Sequence, residues 1–179
     1  MKIILFLVLG ALGFTFQNQK DKELVCLPCG RECDNQVYSK PGNCPSCNMK
    51  MVEKSSIHFK NISVNELCNQ IKSNPDAILL DVRSAGEFGG SSKEVPTFGH
   101  FKNAINVNVT DLENRVKELE KYKAKEVLVY CSHAHRSAVA SYFLSTHGFT
   151  NVKNMKGGVS TIDQQSNDCL KKSFVVHDH

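Results

Sequence analysis

The sequence predicts an α/β fold, three layers around a central parallel sheet, with a small cysteine-rich module ahead of it. Short apolar runs alternate with amphipathic stretches over about a hundred residues, the pattern of strands joined by crossover helices. Two of these runs, AILLDV at 77–82 and VLVY at 127–130, are almost wholly apolar, as expected of strands covered on both faces. Five of the eight cysteines fall within residues 26–47, four of them as two CxxC pairs.

Along the chain, residues 1–17 place a single Lys2 before an uncharged apolar run ending at Phe16. The run is short for a membrane span and has the form of a secretory signal or an N-terminal anchor. Export to a periplasmic or extracellular space is therefore expected, with membrane contact only through this segment if it stays uncleaved.

Residues 23–54 form the expected module. Fourteen residues separate the pair Cys26/Cys29 from the pair Cys44/Cys47. Each CxxC turns two sulfurs to one side, and four thiolates around one zinc supply folding energy that so short a segment lacks. The expected metal ligands are thus Cys26, Cys29, Cys44 and Cys47. Cu(I) is the alternative ion, because Met49 and Met51 stand nearby. Cys33 is a spare thiol that either replaces Cys29 or stays free. The competing reading is two disulfides formed after export. No organic cofactor is expected.

The main domain is expected over residues 56–165, with a polar tail at 166–179. The alternating IHFKNI at 57–62 reads as a first strand. Ser63 and Glu66 form a capping box for a helix to about Lys72, with Val64, Leu67, Cys68 and Ile71 on one face. Cys68 reads as a small buried hydrophobe. The strand at 77–82 ends on Asp81 and Arg83, at the edge where an open α/β sheet binds ligands. Gly, Ser and Pro make 87–100 a loop. A strand at 104–109 and a helix at 111–122 follow, the latter with acids first and lysines last. A strand at 126–130 runs into Cys131, a helix begins near His135 and stops at Gly148, and a short strand at 151–155 precedes Gly157-Gly158 and a last helical segment. In the tail, His177 and His179 read as solvated.

The segment VLVYCSHAHRS at 127–137 carries the chemistry. A strand, a tight loop and a helix start would hold Cys131 where backbone N–H groups converge, and such a place favours negative charge on sulfur. The net charge of +4 is mild and the lysines are scattered, which gives no support for nucleic-acid binding.

Five pieces in order resemble the rhodanese-like domain: LLDVR at 79–83, EF at 87–88, GHFKNAINV at 99–107, VYCSHAHRSA at 129–138 and MKGGV at 155–159. The resemblance implies an α/β fold with a central parallel sheet, and transfer of a sulfane sulfur through a cysteine persulfide. It departs at Ala134, where that family commonly has glycine, and in the length of the stretch before Gly99. Likewise PGNCPSCNMKMV at 41–52 resembles a short heavy-metal-binding domain of metal-efflux proteins, although CLPCGREC departs from that domain's first half.

The expected roles follow. Cys131 is the nucleophile and Arg136 the anion contact, its planar fork matching an oxyanion; the alternative role of Arg136 is to brace the loop against a carboxylate such as Glu87. Ser132, His133, Ala134 and His135 line the substrate, while Asp81 and Arg83 hold neighbouring loops in place, with Arg83 a secondary substrate contact. The expected partners are a small anionic sulfur donor, a thiol acceptor or redox partner, and a metal ion. Four residues lie between Cys131 and Arg136. Cysteine phosphatases and arsenate reductases of similar fold carry a longer loop, so sulfur is favoured over phosphate as the cargo. The competing class is an exported metal-binding or sensing protein that uses this domain only for docking.

Overall fold

The computed structural model describes residues 22–163 and 167–177. The expected export segment, residues 1–17, lies outside them, as do residues 164–166 at the expected end of the main domain. Among the described residues no helix is long and apolar enough to cross a membrane.

The N-terminal module is a three-stranded antiparallel sheet of β1 (Leu24–Val25), β2 (Val37–Tyr38) and β3 (Val52–Glu53), ordered β2-β1-β3. A 3-10 turn, Glu32–Asn35, separates β1 from β2. The main domain follows with β4 (Lys60–Ile62), α1 (Val64–Ser73), β5 (Ile78–Asp81), α2 (Ala85–Gly89), β6 (His100–Phe101), β7 (Ile105–Asn106), α3 (Leu112–Leu119), β8 (Glu126–Tyr130), α4 (His135–Thr146), β9 (Asn151–Met155), α5 (Asp168–Ser173) and β10 (Phe174–Val175). Its central sheet has the order β4-β9-β8-β5-β7 and is parallel throughout.

Strand periodicity divides the core in two. In β8, Val127 and Val129 point to one face, where Leu112 of α3 and Ala138 and Leu144 of α4 lie. Leu128 and Tyr130 point to the other, with Leu67 of α1 and Leu170 of α5. β8 is therefore buried on both sides along its whole length, which is why its sequence shows no polar alternation. The three layers are those the sequence predicts.

The module sits on the α3/α4 face. Leu27 and Cys29 join that core, with Val52 and Ile57 packed against it. Ser56 Oγ lies 3.0 Å from the Tyr142 hydroxyl of α4.

Two local expectations are corrected. The expected strand at 57–62 shortens to β4, preceded by a 3-10 turn at Lys54–Ser56. The expected loop at 87–100 contains α2 at its start and β6 at its end. Ser84 and Glu87 form a second capping box there, which outweighs the helix-breaking composition around it.

The tail is also more ordered than its polarity suggests. α5 is capped by Asn167, and β10 pairs with β6, setting Phe174 against Phe101. His177 is drawn in with it, its Nε2 lying 3.0 Å from Nδ1 of His100 rather than in solvent. Cys68, expected as a buried hydrophobe, is disulfide-bonded to Cys169, 101 residues away. The bond ties α1 to α5 behind the sheet. Replacing both cysteines with serine should lower stability by about 3 kcal/mol, the typical worth of such a cross-link. Urea unfolding with and without reductant checks this, and coincident transitions would mean that the bond contributes nothing.

Candidate active site

The site grows from the carboxyl end of β8. Cys131 follows Tyr130 directly and is 1% exposed. The chain then turns through Ser132, His133 and Ala134 into α4. Ala134 is the N-cap, at φ 67° and ψ −10°, and no side chain caps the helix. Left-handed backbone costs a residue with a Cβ roughly 1–2 kcal/mol, which explains why glycine suits this position. Here the methyl group is fully buried in the core, and that packing offsets part of the cost.

A distant segment clamps the loop. The Val159 N–H donates to the Cys131 carbonyl at 2.8 Å, and the Ser160 N–H donates to the Ser132 carbonyl at 3.0 Å. Gly158 directly precedes them at φ 71°, and a Cβ added there would stand 2.2 Å from the Ser132 oxygen. The glycine is therefore required by close approach as well as by backbone shape.

Glu87 is the hub of the loop's polar side. Its carboxylate accepts from both terminal nitrogens of Arg136 at 2.7 Å, from Ser132 Oγ at 3.0 Å, and from the Ser84 N–H and Oγ at 3.1 and 3.0 Å. Arg136 also donates to Ser132 Oγ at 3.1 Å. The guanidinium fork is thus engaged by Glu87, the alternative expected of it, and Arg136 braces the loop from a half-buried position. Cys131 also helps to hold Arg136 charged, after Glu87.

Burial alone would raise the Glu87 carboxyl, but Arg136, the Ser84 amide and Ser132 outweigh it and bring it down to about 2 from the usual 4.5. A carboxylate held below its unfolded value stabilises the fold fully above that unfolded value. The stability is lost as the pH falls from there through the folded value. Between pH 7 and pH 3 the wild type should lose about 2 kcal/mol from this group. Glu87→Gln should lack that increment. Parallel pH dependence of urea unfolding in the two proteins would refute the role of the hub.

The expected substrate residues separate in space. Ser132, His133 and Arg136 line one cavity of about 280 Å³ with Glu87, Phe98 and the 95–96 segment. His133 is exposed, and its ring meets Phe98 edge-on at 5.8 Å. Phe98, which the sequence reading did not single out, lines the site and sits at φ 56°. Ala134 shapes the backbone from beneath. His135 is turned partly inward, with its Nε2 buried and unbonded among the described residues. Burial pushes its pKa down, and Arg31 and His133 lower it further. An imidazolium at 135 is therefore disfavoured near neutral pH.

Arg83 holds neighbouring loops in place, as expected first of it, and its secondary role as a substrate contact is corrected. It is fully buried, paired with Asp81, and donates to the carbonyls of Thr97 and Gly99 at 2.7 Å each. It fixes the strand end and the 97–99 segment, and it has no surface to offer a substrate.

The cysteine group differs from expectation in one member. Cys26, Cys33, Cys44 and Cys47 bring their sulfurs within 4.8 Å of one another, whereas Cys29 falls with Cys33 and Asp34. Asp34 explains the exchange. Its carboxylate accepts from the N–H groups of Cys29 and Gly30 at 2.6–3.1 Å, which turns the Cys29 side chain into the main core. Burial and Asp34 push the Cys29 thiol up to about 12. Cys44 moves the other way. Its burial is outweighed by the N–H groups of Ser46 and Cys47, which bring it down to about 6.

Comparison with known proteins agrees with this geometry. The profile of the rhodanese-like domain matches residues 63–165, more than half of the chain. A tRNA uridine(34) hydroxylase of Cytophaga hutchinsonii is 34% identical over 110 residues, 59% of this chain and 33% of that one. A protein of the same name from Hamiltonella defensa is 36% identical over 95 residues, 51% of this chain and 24% of that one. The chain thus spans a third or less of these relatives. A rhodanese-like domain protein from Staphylococcus aureus matches in structure with a TM-score of 0.51 at 18% identity, covering 66% of this chain and 99% of that one, a likeness of fold. With Cys131 at the head of a clamped strand-to-helix loop, and this match over most of the main domain, the chain belongs to the rhodanese-like domain family.

Proposed function

We propose that the chain is a sulfurtransferase that carries a sulfane sulfur on Cys131. The observation that carries this reading is the loop itself. A cysteine at the end of a buried strand opens a turn with four residues before Arg136, and the helix that follows has no side-chain cap. The first-turn N–H groups of that helix lack intrahelical partners, so they and the helix dipole favour an anion there.

In the proposed reaction the Cys131 thiolate attacks the outer sulfur of thiosulfate or a related anionic donor. A new S–S bond forms, the donor's S–S bond breaks, and sulfite leaves with the electron pair. The terminal sulfur of the persulfide keeps the negative charge, and loop amides stabilise it. A thiolate or cyanide acceptor then attacks that sulfur and releases the Cys131 thiolate, so two half-reactions alternate. Arg136 serves as a nearby positive charge and loop brace. The curated relatives are named for a tRNA uridine, but they are at least about three times as long as the matched region. The match therefore supports a shared domain and its cysteine chemistry.

The test is intact mass spectrometry of reduced protein after exposure to thiosulfate. The expected result is a gain of one sulfur per chain that cyanide removes. A chain that takes up no sulfur from thiosulfate or from a small-molecule persulfide would point to the docking reading instead.

A further inference from the structure

The module's four converging thiols form a core with little else in it. Among the described residues, the buried members of this cluster are Cys26, Cys33 and Cys44, and its flank is Cys47, Met49 and Met51. Among the described residues no aliphatic hydrocarbon side chain belongs to it, and its aromatic neighbour, Tyr38, meets it through the hydroxyl, 3.8 Å from Cys44 Sγ. A folded sheet of two-residue strands with a core made of sulfur lacks the apolar burial that normally holds a domain together. Small domains of this kind derive their stability from a metal or from disulfides.

The arrangement of the four thiols favours the metal. Sulfurs bound at about 2.3 Å to a tetrahedral zinc stand about 3.8 Å apart, and the four Sγ atoms lie within 4.8 Å of one another, with no carboxylate or imidazole among them. They come from two places. Cys26 follows β1 and Cys33 lies on the 3-10 turn. Cys44 and Cys47 share a tight turn closed by Cys44 N–H to the Met49 carbonyl and Asn48 N–H to the Cys44 carbonyl, 2.8 Å each.

Two of the ligands bracket residues 27–32, and this segment is the module's contact with the catalytic end of the main domain. The Pro28 carbonyl accepts from Asn154 Nδ2 at 3.3 Å. Gly30, at φ 90°, comes so near that an added Cβ would stand 2.8 Å from the Lys156 Cβ. Lys156 directly precedes the Gly157-Gly158 turn that clamps the Cys131 loop.

We infer that Cys26, Cys33, Cys44 and Cys47 form a four-thiolate zinc site that fixes residues 27–32 against the Gly157-Gly158 clamp, with Cys29 outside the ligand set. The inference does not depend on sulfur transfer. Its test uses the full chain, purified under reducing conditions, as wild type, Cys29→Ser and Cys33→Ser. Wild type and Cys29→Ser should each hold one zinc per chain, and cobalt exchange should give the intense thiolate-to-cobalt absorption of a tetrahedral four-sulfur site. Cys33→Ser should bind zinc at least about tenfold more weakly.

A readout on the wild type guards against a Cys33 variant that does not fold. Iodoacetamide mapping before and after zinc removal by a chelator should show Cys26, Cys33, Cys44 and Cys47 gaining reactivity together. Gain at Cys29 in place of Cys33, zinc loss in Cys29→Ser but not Cys33→Ser, or a metal-free fold with two disulfides among the four would each overturn the site.

Discussion

Cys131→Ser should take up no sulfur from thiosulfate and should lose transferase activity by on the order of 10³-fold or more, the scale set by removing a nucleophile. Serine has nearly the same volume, and the loop is held by contacts that do not involve the sulfur. The Val159 and Ser160 amides grip the Cys131 and Ser132 carbonyls, and Glu87 grips Ser132 and Arg136. The variant should therefore keep its urea midpoint close to that of the wild type, which separates loss of chemistry from loss of fold. Five other free cysteines lie in the module. Sulfur loading that survives the substitution would move the carrier among them and remove the basis for the proposed reaction.

Arg83→Met should cost about 3–5 kcal/mol, the range for breaking a buried ion pair, and lower Tm by roughly 10 °C. Both partners are fully buried, and Arg83 donates to each Asp81 oxygen at 2.6–3.1 Å. Removing the cation leaves an unpaired carboxylate in the core and takes one donor each from the Thr97 and Gly99 carbonyls. The double variant Asp81→Asn/Arg83→Met should recover part of the loss, because no isolated charge remains. Since Arg83 holds the backbone on either side of Phe98, the single variant should also weaken sulfur loading. Differential scanning calorimetry of the set checks this, and a loss below about 1 kcal/mol would mean that solvent reaches the pair.

Much of the main domain was legible because its signals are local. The apolar runs at 77–82 and 127–130 became β5 and β8, and Ser63 with Glu66 gave the capping box found at α1. Cys131, its loop and the helix after it were read from one continuous stretch. The features that escaped depend on partners remote in sequence or on a competing side chain. Nothing near Cys68 announces Cys169, and the strand at 174–175 exists because β6 is there to pair with it. The Ser84–Glu87 box was hidden by the glycines around it, although its S-x-x-E spacing was visible. The CxxC rule chose Cys29 over Cys33, since sequence spacing alone cannot show that Asp34 will capture the Cys29 amide.

The glycine clamp on the Cys131 loop also bears on which chemistries a descendant of this chain could acquire. Two successive amides, of Val159 and Ser160, are matched to two successive carbonyls, of Cys131 and Ser132, across a glycine with no room to spare. An insertion that widened the loop for a tetrahedral oxyanion would displace this register, leave buried amides unpaired, and drive the Ser132 carbonyl into Gly158. A route from sulfur to phosphate would therefore need the 155–160 segment to lengthen or shift in the same step. Either change alone passes through a less stable intermediate, so the two halves of the clamp are tied to one evolutionary fate.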